Sequence, residues 1–343
     1  MDRIFKQKRK IIISLNPQII PLKYIISFSN MSLMKKIHIT IFSFIGIIVF
    51  YSLFISLSDI TQFVKNLNLI KFEFLLLILP LHFFVMVIRA FRQKILFDSL
   101  GISLSFKEHF LIHFSGLALI MTPGGLGQTI KAYYLKEKRN LEYSKTISIT
   151  LVERFYDILS IIPLFIIMAF FLDSINIQII SLTLGIILSL GLVLVKNKKF
   201  FNSIISIVPK KSIFKNIAEN SDDLYEIFKK LTHGKILFLS LLLGLSSWVV
   251  AALAFYYIFV SFNIPLSFPE TTIMSLVPIT IGTLSFLPGG IIAIEVTMLG
   301  FLVNHGIDTS LSSTLILFSR ITSIWFLTFI GIITTKIVHS HMK

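Results

Sequence analysis

The stretch Leu104-Ser105-Phe106, followed by Pro123-Gly124-Gly125 and then Arg154, recurs later in the chain as Leu266-Ser267-Phe268, Pro288-Gly289-Gly290 and Arg320. The proline-to-arginine separation is 31 residues in the first copy and 32 in the second, and apolar runs flank each arginine. A duplicated unit that combines helix breakers with a charge inside apolar sequence is how many transporters are built.

The 343-residue chain is 55% hydrophobic and only 14% charged, with a mean hydropathy of +0.87. Apolar runs of about 20 residues recur, each long enough to cross a hydrocarbon core. The expected fold class is therefore an all-α polytopic membrane protein. A net charge of +15 would suggest a nucleic-acid partner in a soluble protein. Here the basic residues fall mainly between apolar runs, where they orient spans and meet anionic headgroups. The expected partners are membrane lipids, anionic or phosphate-bearing, and not nucleic acid. There is no cysteine, which excludes disulfides, thiolate metal sites and cysteine nucleophiles. No phosphate-binding loop, dinucleotide fingerprint, HExxH or serine elbow occurs. No cofactor, no metal and no soluble-type enzyme chemistry is expected. Any transport would then run on a gradient, by exchange or downhill.

Full spans are expected at 38–57, 73–94, 145–170, 174–195, 235–262 and 310–336, with two broken segments at 107–137 and 270–304. The segment 1–37 carries Arg3, Lys6, Lys8, Arg9, Lys10, Lys23, Lys35 and Lys36, so the positive-inside rule places the amino terminus in the cytoplasm. No small-residue cleavage site follows the first apolar run, which is read as retained. Met31 and Met34 leave the start position open. Working outward, 131–145 (Lys131, Lys136, Lys138, Arg139, Lys145), the loop 196–234 and the tail 337–343 all come out cytoplasmic, for a protein of the cell membrane. Within the loop, Ile217, Leu224, Ile227, Phe228 and Leu231 suggest an interfacial helix. Both ends of 107–137 are then inside and both ends of 270–304 outside. The simplest arrangement is six spans plus two re-entrant hairpins in an inverted repeat, copy one at about 73–170 and copy two at about 235–336. Eight full crossings are the alternative. Against them, the arm 107–121 reaches only about 22 Å as a helix, short of a core of roughly 30 Å.

Bare backbone in hydrocarbon is costly, so each break must be buried in protein or line a wet cavity. Gly124, Gly125, Gly289 and Gly290 permit positive φ and close approach. A helix beginning after each break would offer free N–H groups, from Leu126, Gly127 and Gln128 in one copy and Ile291, Ile292 and Ala293 in the other, and such ends attract anions. Arg154 and Arg320 lie about 14–15 Å into their spans by helical rise. An arginine there costs roughly 2.5–3.5 kcal/mol and needs a partner. Glu153, Arg154 and Asp157 form one cluster by spacing. Arg320 has no acid in its own helix, and Glu295 is its natural partner. The candidate headgroup-binding set is Gly124, Gly125, Gly127, Gln128, Lys131, Arg154, Gly289, Gly290 and Arg320. Glu153, Asp157 and Glu295 are the charge partners or proton relay. The plainer alternatives are breaks that only kink helices and ion pairs that only lock them. Arg89 and Arg92 read as cytoplasmic-interface anchors of the second span, His113 as a core histidine, and Lys131 as a snorkelling or headgroup-binding side chain.

Thr122-Pro123-Gly124-Gly125-Leu126-Gly127-Gln128 through Lys131-Ala132-Tyr133, followed by Glu153-Arg154-Phe155-Tyr156-Asp157, resembles the first signature of the lysylphosphatidylglycerol synthase transmembrane-region family, also called flippase-like domain proteins. Leu287-Pro288-Gly289-Gly290, Glu295 and Arg320 resemble the second, and the likeness covers about residues 38–336. The family often has an acid and an arginine where this chain has Gln128 and Lys131, and a glycine where it has Ile292. In the fused bacterial members, the multiple peptide resistance factors, this domain accompanies a cytosolic aminoacyl-transferase that makes lysyl-phosphatidylglycerol. The membrane part is regarded as moving that lipid between leaflets. The chain stops about seven residues after its last span, so the resemblance implies a stand-alone membrane module that is not an enzyme. It implies a carrier of a phospholipid or polyprenyl-phosphate-type lipid. The alternatives are a non-transporting membrane partner of a separate synthase or cell-envelope glycosyltransferase, and an intramembrane lipid-modifying enzyme.

Overall fold

The computed structural model describes residues 60–340 except 69, 71, 122–127, 129, 142, 173–174, 208–220 and 286. The basic segment 1–37, the span expected at 38–57 and residues 341–343 lie outside the described residues, as do Pro123, Gly124, Gly125, Leu126 and Gly127.

Every described element of regular structure is helical. A short α1 (Ile60–Leu67) precedes the first copy, which comprises α2 (Phe72–Ser99), α3 (Phe106–Ser115), α4 (Ile130–Arg139) and α5 (Tyr143–Ala169). Then come α6 (Ile175–Val195) and two short helices, α7 (Lys198–Ile207) and α8 (Ser221–Leu231). The second copy comprises α9 (Gly234–Ser261), α10 (Phe268–Leu284), α11 (Ala293–Asn304) and α12 (Thr309–Ser340). α12 is continuous through a π-helical turn at Ile321–Trp325, directly after Arg320. Its last turn extends to Ser340, four residues into what the sequence suggested as tail.

Local chemistry explains why the copies look alike. α2 and α9 are both 28 residues long, and each ends in a left-handed residue, Gly101 (φ 75°) and Asn263 (φ 55°). In each, the following isoleucine N–H reaches back to a phenylalanine carbonyl: Ile102 to Phe97 at 3.0 Å, and Ile264 to Phe259 at 3.1 Å. That closure satisfies orphan carbonyls at a helix end. Three residues after those isoleucines, Ser105 and Ser267 cap α3 and α10, accepting from the Glu108 and Glu270 N–H groups. Glu270 answers with its own carboxylate on the Ser267 N–H at 2.8 Å, a full capping box.

Among the described residues, four helices are long and apolar enough to cross a membrane: Glu73–Ser99, Gln178–Val195, Gly234–Ser261 and Thr309–Ser340. α5 has 27 residues but carries Glu153, Arg154 and Asp157 near its middle. The arms at the breaks are shorter: α3 has 10 residues and continues as a 3-10 turn at Gly116–Leu119, while α10 has 17 and α11 has 12. α6 presents Ile179, Ile186, Ile187, Leu190 and Val193 outward, as a helix facing lipid does.

α2 and α9 pack along each other at the centre, and α5 lies against α9, α6 and α10. α10 is enclosed on nearly every side, with Thr271 through Pro278 all buried. Gly331 lets α12 run against the turn after α3: a methyl group there would sit 2.1 Å from the Ala118 nitrogen. The apolar face suggested for an interfacial helix turns inward instead. Leu224, Phe228 and Leu231 of α8 are buried in the cluster that holds Phe155 and Phe201, and Tyr156 donates to the Leu231 carbonyl at 2.7 Å. Ile217 lies outside the described residues.

Candidate functional site

Six charged side chains converge beside the first break. Arg89, Arg92 and Gln93 of α2 share a helix face by their spacing. Opposite them stand Glu153, Arg154 and Asp157 of α5. Arg92, 1% exposed, donates from Nη2 to Asp157 Oδ1 at 2.6 Å and to the Glu153 carbonyl at 3.3 Å. Arg154 Nη1 stands 3.1 Å from Asp157 Oδ2, and Arg89 Nη1 stands 4.0 Å from the same oxygen. Arg89 is steadied from α9, where Ser247 accepts from its Nε and the Trp248 ring lies 4.8 Å beneath the guanidinium. Trp248 also donates to the Asp157 carbonyl at 2.9 Å.

Glu153 turns the other way. Its carboxylate accepts from Lys131 Nζ at 3.1 Å and from Gln93 Nε2 at 2.9 Å. The Gln93 oxygen in turn meets His113 Nδ1 at 3.1 Å. Lys131 lays its aliphatic stem over Gly116, where a methyl group would come within 3.1 Å of three of its carbons. Gln128, also buried, accepts from Arg154 Nη2 at 3.3 Å. A narrow cavity of about 10 Å³, room for roughly one water-sized group, lies among Arg89, Arg92, His113, Gln128, Glu153 and Arg154.

The second break is simpler. Arg320 Nε stands 2.9 Å from Glu295 Oε1, both side chains being buried, and Arg320 Nη2 donates to the Gly289 carbonyl at 2.5 Å. Gly289 and Gly290 take φ of 60° and 67°. Gly290 also packs flush against Gly282 of α10, beneath the Ile294 side chain. The second break reaches the residue that precedes the first: a methyl group on Gly289 would lie 3.8 Å from the Met121 Cα.

The sequence-predicted residues thus fall into three groups. Gln128, Lys131, Glu153, Arg154 and Asp157 come together at the first break, and Gly289, Gly290, Glu295 and Arg320 at the second. Gly124, Gly125 and Gly127 lie outside the described residues. Two expectations are corrected. Arg92 is no interface anchor: the partner on α5 pulls it into the core, and Arg89 follows it as a part-buried neighbour. Lys131 does not snorkel, because Glu153 holds it inside. The N–H set at the second break is also smaller than expected, since Ile291 donates to the Pro288 carbonyl at 3.1 Å and α11 begins only at Ala293. The missed signal lay in the charges. Two acids stood against one arginine on α5, and α2 carried two arginines on one face.

The profile of the family described as the lysylphosphatidylglycerol synthase TM region matches residues 41–331. A UPF0104 membrane protein of Methanothermobacter thermautotrophicus is 27% identical over 274 residues, covering 74% of this chain and 80% of that protein. One of Pyrococcus horikoshii is 22% identical over 300 residues, covering 80% and 90%. One of Methanocaldococcus jannaschii is 25% identical over 330 residues, covering 89% and 97%. No solved structure matches.

Proposed function

We propose that this chain, which belongs to the lysylphosphatidylglycerol synthase transmembrane-region family, is a multi-pass carrier that moves a phospholipid or polyprenyl-phosphate-type lipid between the leaflets of the cell membrane. One observation carries the reading: four cations face two carboxylates inside the protein. A soluble domain has little use for such a surplus at its centre, since buried charge left unpaired is expensive. A lipid phosphate supplies the missing negative charge.

In this reading the headgroup rests at Gln128, Lys131 and Arg154, near the start of α4, and Glu153 and Asp157 set how firmly the cations are held. Arg320 and Glu295 brace the tip of the second hairpin, whose Gly289 approaches Met121. The hairpins enter from opposite faces, as an inverted repeat does, and both termini lie in the cytoplasm. The narrow cavity is the closed form, and a headgroup enters when one tip moves away from the other.

The test is lipid flipping in vesicles loaded with fluorescent phosphatidylglycerol or a polyprenyl phosphate. Wild type is expected to exceed protein-free vesicles. Arg154→Ala should slow flipping about tenfold or more, through the loss of a charge-assisted contact. Arg320→Ala should slow it less, through a loosened tip. Equal rates in all three proteins at equal folding reject the site. They favour instead a non-transporting partner of a separate lipid-modifying enzyme.

A further inference from the structure

The four cations at the first break are not matched one to one. Lys131 has Glu153 at 3.1 Å, and Arg92 has Asp157 at 2.6 Å, and these are the deepest pairs. The carboxylate oxygen nearest both Arg89 and Arg154 is the second oxygen of that same Asp157, at 4.0 Å and 3.1 Å, and their other described partners, Ser247, Trp248 and Gln128, are neutral. Their side chains are 13% and 30% exposed, more than those of Arg92 or Lys131, and both line the cavity. The formal sum is four positive against two negative, or +2, among the described residues. The neighbouring stretch 122–127 reads Thr-Pro-Gly-Gly-Leu-Gly and brings no acid of its own. Four buried nitrogens of residues lining the cavity, Arg92 Nε and Nη1, Arg154 Nε and His113 Nε2, have no hydrogen-bond partner among the described residues.

A surplus of two charges away from water calls for an anion of matching charge. Two guanidinium forks suit the oxygens of one phosphate, each binding through paired N–H donors. A phosphomonoester carries about −1.5 to −2 near neutral pH, whereas a diester carries a single negative charge. Resting on the headgroup reading above, we infer that the first-break site takes a phosphomonoester dianion in preference to a phosphodiester, with Arg89 and Arg154 as the groups that grip it. The substrate class is then a lipid monophosphate. Phosphatidylglycerol, a diester, binds as the poorer ligand. Gln128 sets this preference by being neutral where a carboxylate would cancel one of the two surplus charges.

The experiment uses the full-length protein in phosphatidylcholine nanodiscs at pH 8. Displacement of a fluorescent phosphatidic acid is measured with unlabelled phosphatidic acid, phosphatidylglycerol and inorganic phosphate. Phosphatidic acid is expected to displace the probe at a mole fraction about tenfold lower than phosphatidylglycerol. Arg89→Gln and Arg154→Gln should each shrink that ratio to about threefold or less. Gln128→Glu places a carboxylate beside Arg154 without removing a cation. It should weaken phosphatidic acid while sparing phosphatidylglycerol, a shift that misfolding does not produce. Inorganic phosphate binding as tightly as phosphatidic acid, with the same losses, upholds the dianion and assigns it to a solute. Equal displacement by the two lipids in wild type overturns the inference, as does a ratio unchanged in all three variants. Phosphatidylglycerol flipping without any such ratio sinks this inference alone, and the ratio without flipping sinks the transport reading alone.

Discussion

Arg154 and Arg320 stand at matched distances from their breaks, yet they live in different electrostatic company. Arg320 pairs with Glu295 at 2.9 Å and adds a hydrogen bond to the Gly289 carbonyl, one cation to one carboxylate. Arg154 shares Asp157 with Arg92 and with the more distant Arg89. The two stretches therefore share the placement of the arginine and not its surroundings. One half holds its break with a closed ion pair, and the other keeps positive charge in reserve.

The sharpest way to break this contrast is to remove the shared acid. Asp157→Asn leaves three guanidiniums facing one another in the core. Breaking a buried pair costs about 3–5 kcal/mol, and here three cations lose their anion together, so the loss should sit at or beyond the top of that range. Chemical unfolding in detergent measures it. A loss below about 2 kcal/mol would mean that water or lipid already screens the cluster, and the idea of reserved charge would fall.

Glu295→Gln comes next, at about 3–5 kcal/mol, because it strands one arginine and not three. The double variant Glu295→Leu, Arg320→Met then separates the two sites in kind. Replacing a buried pair by apolar residues of similar volume is often neutral or stabilising by about 1–4 kcal/mol. The double variant should therefore recover most of the stability lost in Glu295→Gln, with a small debit for the Gly289 carbonyl. A double variant as unstable as the single one would show that the second break also depends on its charges.

How much of this could be read from the chain alone follows from where each partner sits. The ends of α9 and α6 fell within one residue of expectation because apolar runs and their caps are local signals. The Glu295–Arg320 pair was legible because Glu295 stands early in the return arm of the second break, inside apolar sequence that also holds the arginine. α2 was cut five residues short at 94, because Arg89, Arg92 and Lys94 look like the basic collar of a span. Only Lys94 behaves as a collar residue, pairing with Asp98 one turn away at 2.9 Å. The acid that draws Arg92 inward lies on α5, 65 residues along the chain, beyond the reach of any periodicity. α8 misled for the opposite reason. Its apolar stripe is real, but a stripe does not say whether lipid or another helix will cover it.

The smallest effect expected is at Ile292, and it probes the second tip's backbone instead of its charges. Ile292 sits at φ 75°, ψ −55°, directly before α11. A β-branched side chain is a poor fit there, and a residue held in such a region stores on the order of 1–3 kcal/mol. Its side chain is 50% exposed, so little protein packing offsets the strain. Glycine would relieve it, less about 0.4–1 kcal/mol for the greater freedom of the unfolded chain. Ile292→Gly should therefore stabilise the protein by roughly 1 kcal/mol, read as a raised melting temperature in detergent. If the strain is what readies the second tip to move away from Met121, the same variant should also slow lipid flipping. A variant that melts lower would place the tip's shape under the control of the isoleucine side chain, and the strain would then have no part in how the second break differs from the first.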